Sequence, residues 1–133
     1  SFFKETMRIL KPGGTLVIAD AEEGSKTALF LDQFVSKYNS MGHSGLYLNN
    51  QSAQDIHETG FTITHNKAVN YPWIFPDIPS MAEYCKLLFG LDRACELKEL
   101  ADVISKYLKV EQSGDSTWMH WSLFLIQARK PIE

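Results

Sequence analysis

The chain has 133 residues, 44% hydrophobic, 22% charged and 12% aromatic, with a formal net charge of −3. This length suits one domain with a real hydrophobic core, and the composition is ordinary for a globular protein. The mild acidity, with no block of four or more Lys/Arg, argues against nucleic acid or an anionic membrane as the main partner. No signal peptide or long apolar run is present, so no membrane span is expected.

In the opening segment Phe3, Met7 and Leu10 recur at helical spacing. Pro12 cannot continue a helix, and Gly13-Gly14 is expected to supply the positive φ angles of a sharp reversal. Thr15 to Ala19 is short, apolar and rich in β-branched residues, which predicts a strand buried on both faces. Asp20 closes it with a charge. The reading is helix, tight turn and strand of an α/β sheet.

The run Arg8-Ile9-Leu10-Lys11-Pro12-Gly13-Gly14-Thr15-Leu16-Val17-Ile18, with Phe3 upstream, resembles the late-core signature of class I S-adenosylmethionine-dependent methyltransferases. In that family the segment enters the fifth strand of a seven-stranded sheet. The resemblance implies that the cofactor is held by earlier strands, through a Gly-rich loop after the first and an acid ending the second. No such loop follows a strand here, since Gly13-Gly14 precedes one. The chain therefore resembles the C-terminal, substrate-side half of such a domain. On this reading it binds no S-adenosylmethionine alone, although the full-length family uses it.

Ser25 is a candidate N-cap for a helix whose Leu29, Phe30, Phe34, Val35 and Tyr38 form one apolar face. That helix is expected to cover the preceding strand. The irregular stretch from Asn39 to Asn50 carries His43 and Tyr47, candidate substrate contacts if the loop lies at the ligand-binding end of the sheet. An exposed loop histidine with no chemical role is the alternative. Ser52-Ala53-Gln54-Asp55 has the pattern that starts a helix, and Gly60 suits its end. Phe61 to His65 then alternates as a strand.

Three prolines between Pro72 and Pro79 argue against a central strand and predict a stiff, aromatic connection. Tyr71, Trp73 and Phe75 either wall an apolar pocket or seal the core's rim. Ser80-Met81-Ala82-Glu83 predicts a second helix start, with Met81, Tyr84, Leu87 and Leu88 as its apolar face and Gly90 at its end. A further helix from about Arg93 carries Leu97, Leu100, Ala101, Ile104 and Leu108. In the resembled family the connection here is often short, so these helices read as an insertion at about 80–110 that shapes substrate choice or packs on the sheet. Gly114-Asp115 offers a turn. Thr117 to Lys130 reads as a last strand covered on both faces, with Trp118 and His120 on one face and Met119 and Trp121 on the other. By resemblance this strand runs antiparallel.

No G-x-S-x-G elbow and no His/Cys metal-ligand spacing occurs, and the four histidines are scattered. Cys85 and Cys95 read as reduced thiols of a cytoplasmic protein. The expected fold is α/β: a partial Rossmann-like methyltransferase sheet of about three strands, the last antiparallel, with about five helices in a single domain over 1–133. The expected function is the substrate side of a small-molecule methyltransferase, inactive alone. The alternative is a stand-alone homodimerising module that binds a small molecule. Candidate substrate contacts are Tyr38, His43, Tyr47, Tyr71 and Trp73, with no metal site and no assigned catalytic residue. The apolar strand Thr15 to Ala19 would lie at a sheet edge, so a homodimer is expected through that edge or through exchanged helices.

Overall fold

A computed structural model describes residues 1–93 and 96–133; the reading of Cys95 as a reduced thiol falls outside the described residues. Five helices occur: α1 (Phe2–Ile9), α2 (26–38), α3 (Asn50–Glu58), α4 (Ile78–Leu88) and α5 (Leu97–Tyr107). They accompany strands β1 (Thr15–Asp20), β2 (Thr62–Phe75), β3 (Val110–Ser113) and β4 (Ser116–Arg129). The strands form one four-stranded sheet in the order β1-β4-β2, with β3 also pairing to β4. β1 is antiparallel to β4, placing Thr15 opposite Arg129 and Asp20 opposite Phe124. The α/β class, the five helices and the antiparallel last strand agree with the sequence reading. β3 is an addition, because Val-Glu-Gln-Ser is too short and polar to announce a strand.

The chain divides into two compact units, one of residues 1–23, 47–69 and 123–133, the other of 24–46 and 70–122. β2 and β4, each of 14 residues, contribute to both.

In the first unit, Ser1 caps α1 by accepting a hydrogen bond from the Lys4 amide. The helix ends at the Lys-Pro-Gly-Gly corner, where the two glycines do different work. Gly13 takes φ +79°, the left-handed region open to glycine. Gly14 does not; a side chain there would place Cβ 2.8 Å from the Lys11 carbonyl oxygen, which accepts the Gly14 amide. The expectation of positive φ at both is thus corrected to one turn residue and one close approach.

The core here is Leu16, Ile56, Phe61, Ile126 and Ala128, with Phe3 and Met7 of α1 and Ala53 of α3 packed against it. Full burial of each larger side chain contributes about 1.5–3 kcal/mol. β1 is buried on one face only, contrary to expectation: Leu16 is buried, while Thr15, Val17 and Ala19 on the opposite face are exposed. α1 and α3 both pack on the Leu16 side, which accounts for the asymmetry. α3 begins three residues before the expected start. Asn49 is its N-cap, in a reciprocal capping box with Ser52, so Ser52 serves as the last residue of the box rather than its first.

In the second unit, Ser25 caps α2 through the Ala28 amide, as the sequence predicts. The helix widens into a π-helical stretch at Phe30–Val35 before a last α turn at Ser36–Tyr38. Its buried Phe30 meets the rings of Phe34, Phe89, Tyr107 and Trp121 at centroid distances of 5.1 to 6.2 Å. Within this unit that apolar face packs on other aromatic rings.

The aromatic-proline stretch is strand, not a connection, since β2 continues through Tyr71, Pro72 and Trp73 to Phe75. β2 ends the strand order, and an edge strand tolerates a proline that cannot donate to a ladder. α4 starts at Asp77, whose carboxylate accepts the Ser80 amide at 2.8 Å, rather than at Ser80. Its buried face is also rotated from the expected one: Met81, Ala82 and Cys85 are buried, while Tyr84, Leu87 and Leu88 are exposed. α5 packs on α4 and buries Leu100, Ala101 and Ile104 as predicted. It starts at Leu97, later than the expected Arg93. In β4 the buried positions run in two phases, Thr117, Met119 and Trp121 in the first half and Ile126 and Ala128 in the second, with Trp118, His120 and Ser122 half-buried.

No helix among the described residues is long and apolar enough to cross a membrane.

Candidate functional site

Two cavities of the second unit have contrasting walls. One, of about 370 Å³, is lined by Trp73, Ile74 and Phe75 of β2 and Tyr84 of α4. Trp73 belongs to a stack, its ring 4.9 Å from Trp121 and 6.5 Å from Phe89, tilted only 11° from the latter. Phe89 and Trp121 lie 5.8 Å apart at 24°. Trp73 is tilted 34° from Trp121, and the contacts among these three rings hold Trp73 in place at the cavity wall. Tyr84 meets Trp73 edge-on and closes one side. A wall of this kind suits a flat apolar ligand, which gains contact area without displacing polar groups.

The other cavity, of about 160 Å³, is lined by Lys26, Thr27, Asn70, Leu108, Lys109, His120 and Ser122. Thr27 is only 1% exposed, and its hydroxyl lies 3.1 Å from the Ser122 hydroxyl while accepting the Ser122 amide at 3.2 Å. His120 Nε2 is 2.7 Å from Glu111 Oε1, and Lys109 Nζ is 3.7 Å from Glu111 Oε2. The hydrogen bond from His120, and behind it the Lys109 charge, hold the Glu111 carboxyl below its ordinary value of 4.5. An ionised carboxylate only accepts, so Nε2 bears the proton in this contact. The β3–β4 hairpin fixes the ring further, the His120 amide donating to the Lys109 carbonyl.

The five residues singled out from sequence are spread over both units, Tyr47 in the first and the other four in the second. Trp73 lines the aromatic cavity. Tyr71, on the same strand, is 37% exposed and lines neither cavity. Tyr38 is a packing residue, its ring 4.9 Å from Phe34 with Lys37 Nζ 5.4 Å above it. His43 Nδ1 lies 3.9 Å from Asp32 Oδ1. Tyr47 belongs to the first unit, beside Leu48, which bridges to Glu22. The polar cavity was missed because its residues come from four separate segments. The one signal was the alternation in β4 that set His120 apart from the buried Met119 and Trp121.

After β1 come Ala21-Glu22-Glu23-Gly24, where Glu22 bridges to Leu48 and the Glu23 carboxylate accepts from Asn49.

No protein-family model matches the chain, and no curated protein matches it. Among solved structures, the crystal structure of a "putative methyltransferase" from Bacillus halodurans C-125 matches with a TM-score of 0.57 at 22% identity. The match covers 98% of this chain and 57% of that one, so this chain spans little more than half of that protein's length. At this identity the likeness is one of fold. The chain has a partial methyltransferase-like α/β fold.

Proposed function

We propose that the chain is the substrate-side part of a class I S-adenosylmethionine-dependent small-molecule methyltransferase, with the methyl donor held by residues beyond these 133. The observation that carries this reading is the sheet itself. A Lys-Pro-Gly-Gly corner leads into β1, β4 lies antiparallel between β1 and β2, and that arrangement matches 57% of a longer methyltransferase-like chain. Methyl transfer asks little of side chains beyond alignment of acceptor and methyl group. The Trp73 wall would supply that alignment for a flat acceptor. Calorimetric titration of the chain with S-adenosylmethionine should give no saturable heat. A screen of small aromatic alcohols and amines by tryptophan fluorescence should give binders that are lost in Trp73→Ala. Tight S-adenosylmethionine binding by the chain, or acceptor binding indifferent to Trp73→Ala, would sink this assignment.

The second reading, a homodimerising small-molecule-binding module, is favoured by one specific observation. β1 ends the strand order with Val17 56% exposed on its uncovered face. An apolar edge strand invites pairing with a second copy. Sedimentation equilibrium should then show a dimer that Val17→Lys dissociates, and a monomer at all concentrations excludes it.

A further inference from the structure

The polar cavity of the second unit has a donor set in search of an acceptor. Two lysines, Lys26 and Lys109, are among the residues that line it, and no aspartate or glutamate is. Lys26 makes no ion pair among the described residues. Glu111, the carboxylate nearest Lys109, is engaged by His120 at 2.7 Å and so is only partly available to neutralise that lysine.

Hydrogen counting adds a third donor. Thr27 and Ser122 bring two hydroxyl hydrogens, and the 3.1 Å contact between their oxygens uses one of them. Thr27 Oγ1 also accepts the Ser122 amide, so this pair is rich in acceptance already satisfied and has one O–H left to donate. Thr27 is 1% exposed and both hydroxyls belong to cavity-lining residues. The Asn70 side chain adds an amide donor at the same wall. Only Leu108 is apolar. Cationic and neutral donors lining one half-open pocket match a group with several terminal oxygens, because charge-assisted hydrogen bonds to such a group are the stronger ones.

We propose that this cavity binds a small oxyanion, the carboxylate or phosphate group of a ligand, between Lys26, Lys109 and the Thr27–Ser122 hydroxyl pair. The site does not depend on the methyltransferase reading, since it needs neither a methyl donor nor turnover.

The test is an amide NMR titration of the intact chain with inorganic phosphate and, separately, with acetate, at constant ionic strength balanced by chloride. Saturable shifts centred on Lys26, Thr27, Asn70, Lys109, His120 and Ser122 with either anion support the site. Saturation by phosphate alone or acetate alone tells which group it takes. A Lys26→Met, Lys109→Met double variant should weaken that binding about tenfold or more. Ser122→Ala should weaken it less while leaving the spectrum folded. The proposal is overturned if neither anion gives saturable shifts, if chloride reproduces them, or if the double lysine variant binds as well as the parent chain.

Discussion

Lys130, the residue after β4, donates its ammonium to the carbonyl oxygen of Leu10 at 2.7 Å, and also to that of Met7. These are carbonyls at the C-terminal end of α1, which lack intrahelical partners. The Lys130 amide donates to Gly14, and the Gly13 amide to the Lys130 carbonyl. The last strand thus ties the Lys-Pro-Gly-Gly corner from both backbone and side chain. Lys130→Met should cost about 1–3 kcal/mol in urea unfolding, since it strips a charged donor from two carbonyls. An unchanged midpoint would mean water replaces the ammonium without loss.

Gly14→Ala should destabilise by about 1–3 kcal/mol, because its Cβ would meet backbone rather than a yielding side chain. Gly24→Ala makes the useful comparison. Gly24, unlike Gly14, has positive φ, at +80°, but a Cβ there meets nothing within 4 Å. Thermal unfolding of the two variants separates the cost of close approach from the cost of the left-handed backbone alone.

The rotation of α4 is checkable by truncation. Met81→Ala, at a fully buried site, should lose about 2–5 kcal/mol. Leu87→Ala, 75% exposed, should stay within about 0.5 kcal/mol. The opposite ranking would restore the helical face expected from the sequence. Trp121→Ala should cost about 3–5 kcal/mol, since it removes the ring that touches Phe30, Trp73 and Phe89.

Acid should weaken the fold through identifiable carboxylates. Hydrogen bonds from Ser80, Ser40 and His120 hold Asp77, Asp92 and Glu111 respectively below their ordinary values. A native value below the unfolded one means that the unfolded chain binds the proton first. The stabilisation is therefore full above the ordinary carboxylate values, 3.8 for aspartate and 4.5 for glutamate, and is lost as pH falls through the lowered native ones. Urea midpoints should drop between about pH 7 and about pH 3. Asp92→Asn should flatten that drop; a slope identical to the parent's would remove Asp92 from the account.

Burial pushes the Cys85 thiol up to about 12, and its Sγ lies 3.6 Å from the Met119 sulfur. In a Cys95→Ser background, a thiol-specific disulfide reagent should label nothing in the folded chain at about pH 8, and one thiol once urea unfolds it. Rapid labelling of the folded chain would show that α4 opens readily.

Sequence alone determined what depends on neighbours in the chain. Pro12 and Gly13 dictate a corner wherever they occur, Ser25 caps the helix that follows it, and the alternation of β4 separates Met119 and Trp121 from Trp118 and His120. These signals are local because sterics, capping and strand period act over a few residues. Tertiary structure decided the rest. Whether Thr15 to Ala19 is covered on one face or two depends on where α1 and α3 pack. Pro72 could enter a strand because β2 lies at an edge, a fact of sheet order and not of composition. Asp77 outcompeted Ser80 as a cap because the residues preceding α4 stay extended as far as Asp77 itself. The polar cavity joins Lys26 and Thr27 to Asn70, Lys109, His120 and Ser122, residues as much as 96 positions apart. Their convergence is made by the packing of α2 and the pairing of β3 with β4, and no short-range pattern encodes it.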